Sequence, residues 1–372
     1  MDSVYIHIPF CKKKCNYCAF NSKIGEENEI ENYVDALTKE ILSKKENCKL
    51  TTIYFGGGTP TILKINQLEK IFNALNENFF IEENSEITIE ANPGTVDEKF
   101  LFGLREIGFN RLSLGVQSFN DEILKILGRI HDSKIAVETV QTAKKFFDNI
   151  SVDLMYSLPN QKISDLKNSV ETAANLEVQH ISIYGLEIEE NTNFEKLLKA
   201  GNLNLPDNEL SEKMYDFIME TLPKFGYRRY EISNFAKKSF ESRHNLGYWT
   251  GRKYFGFGAG AHSYDGKIRT SNICNVQKYI EKVFAGENIS EVEEVITKKN
   301  AMEEFCFLGL RMVEGIEIKN FEKLFGENIF EVYGKVIEKN ISLGLLENSD
   351  GKIFLTSHGM KLGNMVFADF LF

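Results

Sequence analysis

Three cysteines lie close together near the start of the chain, at Cys11, Cys15 and Cys18. Thiolates are soft ligands that bind zinc or iron–sulfur clusters. A structural zinc ion usually takes four protein ligands, whereas a cluster of four irons and four sulfides (4Fe–4S) held by three thiolates keeps one iron open for another ligand. The C-x3-C-x2-C spacing therefore predicts a 4Fe–4S cluster, with a zinc site as the alternative.

Two short strands place this cysteine loop beside a turn rich in glycine. The apolar run Val4–Ile8 leads through Pro9 into the first cysteine, and a second run, Thr52–Phe55, leads into Gly56-Gly57-Gly58-Thr59-Pro60. Glycine lets a bound ligand approach bare backbone, where N–H and C=O groups grip its polar parts. A glycine turn one strand after a cysteine loop indicates that both belong to one ligand site.

The first two-thirds of the chain repeat a rhythm of short apolar strand, loop and amphipathic helix. Such alternation favours a parallel sheet with right-handed crossovers, whose chemistry lies at the carboxyl ends of the strands. We expect an α/β fold, a partial (β/α)6 barrel rather than a closed barrel of eight strands. The predicted strands are Val4–Ile8, Thr52–Phe55, Ile87–Glu90, Arg111–Gly115, Val152–Met155 and Ile181–Tyr184.

Predicted helices separate these strands. Ile30, Val34, Leu37 and Ile41 fall on one face of a helix. The other helices predicted in this region cover Leu68–Leu75, Glu98–Ile107, Asp121–Leu127, Ser133–Phe147 and Ser164–Leu176.

After Glu190 the pattern changes, and a smaller helical or winged-helix-like domain is expected at the end of the chain. We predict three parts: a partial barrel over 1–240, a connecting segment over 241–290 and a C-terminal domain over 291–372. The predicted elements are helices at Leu210–Lys224, Lys298–Arg311, Ile318–Leu324, Ile329–Leu343 and Ser357–Phe370, a strand at Tyr227–Ile232 and a strand pair around Leu345–Leu355.

Composition excludes several classes of protein. The net charge is −10 and no long basic run occurs, so no nucleic-acid partner is expected. No apolar stretch approaches the length of a membrane span. The chain starts at once with strand and motif, so neither a signal peptide nor a transit peptide is expected. The six cysteines form no disulfide pattern, which favours a reducing cytoplasm.

The cysteine loop and the glycine turn together resemble the radical S-adenosylmethionine (SAM) superfamily. Further segments narrow the resemblance to the branch that is similar to oxygen-independent coproporphyrinogen III oxidase. These segments are Tyr5–Cys11, Glu90-Ala91-Asn92-Pro93, Leu114–Phe119, Gly128-Arg129 and Asp153–Pro159.

The resemblance implies a set of cofactor residues. Cys11, Cys15 and Cys18 would hold the 4Fe–4S cluster, with the amino and carboxylate groups of SAM on its open iron. The residues implied to line the SAM site are Tyr5, Tyr17, Gly57, Gly58, Thr59, Glu90, Gln117, Arg129 and Asp153.

Side-chain chemistry agrees with that assignment. Arg129 suits the SAM carboxylate, and Glu90 and Asp153 suit its ribose hydroxyls or its ammonium group. For the two acids the alternative is an ordinary solvated strand end. No catalytic residue follows from the sequence, which leaves open whether SAM is cleaved or only bound.

Within this branch the sequence resembles the HemW family of heme chaperones more than the decarboxylase. The decarboxylase has a further cysteine two residues past the triad, where this chain has Phe20, and a longer segment before the cluster loop. The segment His244-Asn245-Leu246-Gly247-Tyr248-Trp249 matches the H-N-x-x-Y-W motif of the chaperones, and Gly256–His262 is also similar to them.

Heme favours an axial imidazole and aromatic faces, which His244, Tyr248 and Trp249 would supply, with His262 as a second candidate. For His7 a hydrogen-bonding role within the site is expected. The implied activity is heme binding and delivery to apo-hemoproteins such as respiratory cytochromes, with peripheral membrane docking through a partner as a further expectation. Oxygen-independent coproporphyrinogen III oxidase activity is the alternative, and a heme-degrading radical SAM methyltransferase is a more distant one.

Overall fold

The computed structural model describes residues 2–44 and 48–371. The strands are β1 (Ser3–Ile8), β2 (Lys49–Gly57), β3 (Phe80–Ala91), β4 (Arg111–Gln117), β5 (Ile150–Tyr156), β6 (His180–Gly185), β7 (Arg228–Arg229), β8 (Asn234–Ala236), β9 (Tyr254–Phe257), β10 (His262–Tyr264), β11 (Ile268–Asn272), β12 (Ser290–Val295), β13 (Ile316–Glu317), β14 (Leu346–Ser349) and β15 (Lys352–Leu355).

The helices surround this framework. They are α1 (Glu27–Ser43), α2 (Ile65–Asn78), α3 (Glu98–Ile107), α4 (Asp121–Leu127), α5 (Ser133–Ala143), α6 (Ile163–Asn175), α7 (Asn193–Lys199), α8 (Asn208–Thr221), α9 (Arg243–Trp249), α10 (Val276–Ala285), α11 (Lys298–Gly309), α12 (Ile318–Phe325), α13 (Ile329–Ser342), α14 (Ser357–Lys361) and α15 (Gly363–Asp369). No helix among the described residues is both long enough and apolar enough to cross a membrane.

One large sheet carries the candidate site. Strands β1 to β6 lie side by side in chain order and pair in parallel, which confirms the predicted partial barrel of six strand–helix units. The sheet then extends at both edges, because β9 pairs in parallel with β1 and β8 pairs antiparallel with β6. The segment 241–290 thus supplies strands to the sheet, and the three-part domain division stays a prediction.

The two faces of each strand have different surroundings because side chains alternate along a strand. In β1, Val4, Ile6 and Ile8 are fully buried in the apolar core shared with the helices. Tyr5 and His7 point to the opposite face, where their side chains hydrogen-bond to each other at 3.0 Å. The inner face of the partial barrel is therefore polar, while its outer face packs against helices.

The C-terminal region has a separate apolar core. The small antiparallel sheet β13-β15-β14 packs with α11, α12 and α13, as expected of a winged-helix-like domain. Ile232 packs against this core from the barrel side.

One predicted strand is replaced by a turn in the structure. The strand predicted at Tyr227–Ile232 is wrong: only Arg228–Arg229 and Asn234–Ala236 are strands, because the Glu231 carboxylate accepts hydrogen bonds from the backbone N–H of Ser233 and the side chain of Asn234 and forms a turn.

The final helix predicted at Ser357–Phe370 is interrupted at Leu362, whose backbone leaves helical geometry (φ −114°, ψ 24°). The helix predicted to reach Phe147 ends at Ala143.

A buried carboxylate joins α1 to the strands on the far side of β1. Glu40 accepts hydrogen bonds from the Gly258 N–H at 2.9 Å, from the Asn272 side chain at 2.7 Å and from the Tyr279 hydroxyl. Burial raises the pKa of Glu40, and the three donors oppose that shift. The carboxylate thus fastens the segment after β9 to the barrel.

We predict that Glu40→Ala lowers the free energy of unfolding by about 3 kcal/mol, because three buried donors lose their partner. Urea unfolding of the variant measures the loss. Glu77→Ala, an exposed glutamate on the neighbouring helix α2, is the control and should change stability little. Equal effects of the two substitutions would contradict the structural role of Glu40.

Candidate functional site

Backbone hydrogen bonds hold the glycine turn against the cysteine loop. The Gly58 N–H donates to the Ile8 carbonyl and the Thr59 N–H donates to the Phe10 carbonyl, both at 2.8 Å. A Cβ atom at Gly58 would lie 2.6 Å from the Phe10 carbonyl oxygen and 3.0 Å from the Cys11 sulfur. Only glycine allows this close approach, as the sequence predicted for the turn.

The cysteine loop is closed at its base by a second pair of backbone hydrogen bonds. The Cys11 N–H donates to the Lys23 carbonyl, and the Lys23 N–H donates to the Pro9 carbonyl, both at 2.9 Å. Cys11 is buried, whereas Cys15 and Cys18 are half-buried, and all three are free thiols. The loop thus presents its thiols at the carboxyl end of β1.

Polar groups reach the sulfur atoms of the cysteine loop. The Thr59 hydroxyl lies 3.5 Å from the Cys11 sulfur, and an Arg129 N–H lies 3.2 Å from the Cys15 sulfur. Burial raises the pKa of the Cys11 and Cys18 thiols, an effect that hydrogen-bond donors and Lys14 oppose. Donors of this kind stabilise thiolates, which are the form that binds metal.

The described part of the chain gathers no three His, Cys, Asp or Glu side chains at the spacing of ligands around one ion. Three thiolates around a single zinc ion would each lie about 2.3 Å from the metal. A 4Fe–4S cluster at the three cysteines therefore stays a prediction, as does the zinc alternative.

Arg129 connects the cysteine loop to the neighbouring strands. Its guanidinium donates to the side-chain oxygen of Asn92 and to the carbonyl of Gly115, and it lies 3.5 Å from the Tyr17 hydroxyl. Its Nε atom is buried and has no hydrogen-bond partner among the described residues. The structure thus brings Arg129, Tyr17, Cys15 and Thr59 together, as the resemblance implied.

A small cleft opens at this point. It is lined by Lys12, Lys13, Cys15, Thr59, Asn92, Thr95, Arg129 and Ile130.

Acidic and hydroxyl side chains occupy the inner face of the sheet below this cleft. Glu90 accepts a hydrogen bond from the Tyr54 hydroxyl at 2.7 Å, and burial raises the pKa of Glu90 to about 7. Asp153 lies near the hydroxyls of Ser113 and Ser151, and burial also raises its pKa. Neither acid is an ordinary solvated strand end.

Gln117 ends β4 in a strained conformation. Its backbone φ is 71°, a region that side chains other than glycine rarely adopt, and the register with β5 shifts beside it. Such strain is characteristic of functional positions. Gln117 stands at the carboxyl end of its strand, as predicted.

The H-N-x-x-Y-W motif forms helix α9, and His244 is enclosed there. Its Nδ1 atom lies 2.9 Å from the Thr52 hydroxyl, and its Nε2 atom lies 2.9 Å from the Tyr248 hydroxyl. The imidazole also stacks on the Tyr54 ring at 5.0 Å. Burial first, and then Arg252, lowers the pKa of His244 to about 3, so the ring stays neutral.

Helix α9 lies far from the cysteine loop. Thr52, which contacts His244, precedes Gly57 by five residues of β2, which corresponds to roughly 16 Å along the strand. At the start of α9, the Glu86 carboxylate accepts hydrogen bonds from the N–H groups of Arg243 and His244. The two motifs therefore occupy opposite ends of the partial barrel.

Trp249 faces the C-terminal region. The Arg311 guanidinium lies 4.4 Å from the centre of the indole ring, a cation–π contact. His262 is half-exposed and its Nε2 atom lies 3.1 Å from a Glu293 carboxylate oxygen. Heme contact by His244, Tyr248, Trp249 or His262 stays a prediction, and for His244 it requires the loss of at least one present hydrogen bond.

Two residues of the site escaped the sequence analysis. Asn92 donates to the Thr59 hydroxyl at 2.8 Å and accepts from Arg129. Asn92 lies two residues after Glu90, and such residues share one face of an extended strand. This spacing predicts that Asn92 faces the same site as Glu90.

Asn21 is the second. Its side chain donates to the carbonyls of Ala259 at 3.1 Å and Cys274 at 3.0 Å, and its own carbonyl lies 2.9 Å from the His7 Nε2 atom. His7 thus has the hydrogen-bonding role predicted for it. No local pattern marks Asn21, because the partners of its side chain lie more than two hundred residues away.

Known protein families and individual proteins are similar to this chain along most of its length. The family model of the radical SAM superfamily matches residues 5–173, and the family model of the HemN C-terminal domain matches residues 296–362. A heme chaperone HemW from Bacillus subtilis (strain 168) is 40% identical, with 100% of this chain and 99% of the relative covered. A heme chaperone HemW from Lactococcus lactis subsp. lactis (strain IL1403) is also 40% identical, with 100% and 97% covered.

More distant proteins share the same framework. The radical S-adenosyl methionine domain-containing protein 1, mitochondrial, of Danio rerio is 33% identical, with 90% of this chain and 78% of the relative covered. Coproporphyrinogen III oxidase (HemN) from Escherichia coli has a TM-score of 0.87 and 24% identity, with 99% of this chain and 89% of that chain covered. At that identity the likeness shows the fold alone.

We predict that Gly58→Ala, after anaerobic reconstitution with iron and sulfide, retains about half or less of the wild-type iron, because the added methyl group overlaps the cysteine loop. Iron and sulfide analysis measures the effect. Gly334→Ala is the matched control, since a Cβ there has no neighbour nearer than 3.9 Å. Full iron content in Gly58→Ala would contradict the close packing of the two loops.

A second prediction concerns the raised pKa of Glu90. Below pH 4.5, the ordinary pKa of a glutamate carboxyl, Glu90 is protonated in both the folded and the unfolded state. Between pH 4.5 and about 7 the unfolded chain ionises Glu90 freely, whereas the folded protein has to ionise it in a buried position. Wild-type stability should therefore fall over this range, relative to Glu90→Gln, by up to about 3 kcal/mol. Urea unfolding at pH 5 and pH 8 tests this. The exposed Glu83→Gln on the same strand should show no such pH-dependent difference.

Proposed function

Because this chain belongs to the radical SAM superfamily, in the coproporphyrinogen III oxidase-like branch that holds the heme chaperones, we propose that it is itself a heme chaperone. The observation that carries the proposal is the 40% identity with two heme chaperones over 100% of this chain. Phe20, in place of the fourth cysteine of the decarboxylase, supports the same choice.

Cys11, Cys15 and Cys18 hold a 4Fe–4S cluster in this proposal. The buried Cys11, the hydrogen-bond donors at the sulfur atoms and the bare backbone of Gly58 support the assignment. When bound, the cluster supplies an open iron that accepts the amino and carboxylate groups of SAM.

The chain's own residues orient SAM. Arg129 carries the charge that pairs with a carboxylate, and its unpartnered Nε atom is available for a further acceptor. Glu90 and Asp153 accept hydrogen bonds from hydroxyl or ammonium groups, and Tyr5, Tyr17, Gly57, Thr59 and Gln117 complete the predicted lining. The raised pKa of Glu90 lets this carboxyl either donate or accept a proton near pH 7.

Heme is the cargo, and apo-hemoproteins such as respiratory cytochromes are the proposed recipients. Contact with the membrane would come through such a partner. Cys11, Cys15, Cys18, Cys274 and Cys306 are free thiols, which supports a reducing, cytoplasmic location for the protein.

Anaerobic reconstitution followed by titration with hemin tests the proposal. We predict saturable binding of about one heme per chain with a Soret band, and transfer of that heme to an added apo-cytochrome. His244→Ala tests the predicted imidazole contact: a shifted Soret band would support that contact, and an unchanged band would assign heme to another part of the chain. Failure to bind hemin at stoichiometric concentrations would overturn the chaperone proposal.

The alternative, oxygen-independent coproporphyrinogen III oxidase activity, has its own readout in the same preparation. Anaerobic incubation with coproporphyrinogen III, SAM and a reductant should leave the substrate unchanged. Formation of protoporphyrinogen together with 5′-deoxyadenosine would replace the chaperone proposal by the enzymatic one.

A further inference from the structure

Large apolar side chains are exposed around the cysteine loop. Phe20 is 69% exposed, Ile24 is 63% exposed and Ile130 is 42% exposed. Single exposed apolar residues are common on protein surfaces. Phe20 and Ile24 follow shortly after Cys18 in the sequence, and Ile130 lines the cleft together with Cys15, so all three belong to the surroundings of the cysteine loop.

Basic side chains stand beside these apolar ones. Lys12 and Lys13 line the same cleft as Ile130 and Cys15. Both lysines are exposed, and neither has an ion-pair partner among the described residues, although the chain carries a net charge of −10. Unpaired cations next to apolar surface favour an apolar molecule that also carries negative charge.

Local hydrogen bonds hold the segments that carry the three apolar residues against the cysteine loop. Lys14 donates from its ammonium group to the Phe20 carbonyl at 3.0 Å. Ile24 directly follows Lys23, whose backbone closes the base of the cysteine loop. The contact of the Asn16 N–H with the Leu127 carbonyl, at 3.0 Å, places the loop that carries Ile130 beside the cysteine loop.

We infer that this surface, the mouth rim (Lys12, Lys13, Phe20, Ile24 and Ile130), is where the chain holds heme. Heme is a flat apolar ring with two propionate carboxylates on one edge. The exposed Phe20, Ile24 and Ile130 side chains cover the ring, and Lys12 and Lys13 pair with the two carboxylates. The inference rests on the proposed chaperone function and assigns its cargo to particular residues.

The rim is accessible in the present structure, whereas the alternative positions are enclosed or polar. His244 is buried with both ring nitrogens hydrogen-bonded. The inner face of the sheet carries Glu90 and Asp153, an unfavourable surface for an apolar ring. The rim side chains are exposed, so they are open to a ligand from solvent.

The test compares hemin with hemin dimethyl ester, in which the propionates carry no charge. The protein is the anaerobically reconstituted full chain, and the Soret band reports binding. We expect the wild type to bind hemin about tenfold more tightly than the ester. Lys12→Gln/Lys13→Gln should remove that preference, while Phe20→Ser/Ile24→Ser should weaken binding of both compounds.

Iron and sulfide are measured in every variant to show that each still holds its cluster. The comparison of hemin with its ester uses the wild type alone and does not depend on how well the variants fold. Lys319→Ala/Lys323→Ala, an exposed pair on α12, is the matched control and should bind as wild type does. If the wild type binds no hemin at all, the chaperone function itself is refuted.

Other outcomes would refute the rim alone. One is hemin binding by the wild type that ignores the rim substitutions and is lost in His244→Ala. Another is equal affinity of the wild type for hemin and its ester. A third is that the rim variants bind hemin normally but no longer float with phosphatidylglycerol vesicles, which would assign the surface to lipid.

Discussion

The contact between the cysteine loop and the glycine turn is the constraint on which the candidate site depends. Two backbone hydrogen bonds continue the pairing of β1 and β2 beyond the ends of these strands, and they bring Gly58 against Cys11. Thr59 then lies within reach of the same sulfur atom, and Asn92 and Arg129 build on Thr59 from the next strands. A side chain at Gly58 would therefore disturb the contacts of Cys11, Thr59, Asn92 and Arg129 together.

Local sequence patterns were sufficient to predict the parallel half of the fold. The six strands and the helices between them follow from alternation and helical spacing, which are properties of neighbouring residues. The turn at Glu231 was missed because it depends on a buried carboxylate that bonds to Ser233 and Asn234, a role that the sequence pattern does not mark. Strands β9 to β12 were missed for a similar reason, since their short sequences gain their partners only from the existing sheet.

The candidate site was predictable where a motif carries its chemistry within a few residues, as in the cysteine loop. It was less predictable where burial decides the role. Glu40 follows Leu37 on the apolar face of α1, yet a glutamate in an amphipathic helix is usually exposed. His244 was assigned from its neighbours Tyr248 and Trp249, while Thr52 and Glu86, which fix its position, lie far away in the sequence.

The bond between Asn21 and Ala259 joins residues 238 positions apart. A ribosome makes the cysteine loop among the first residues of the chain, and the residues that fasten it are made only after most of the barrel has emerged. During that interval the three thiols have neither the neighbouring strand β9 nor the Asn21 contacts to shelter them. The cysteine loop, although made first, therefore gains its Asn21 contacts only once Ala259 and Cys274 have been made.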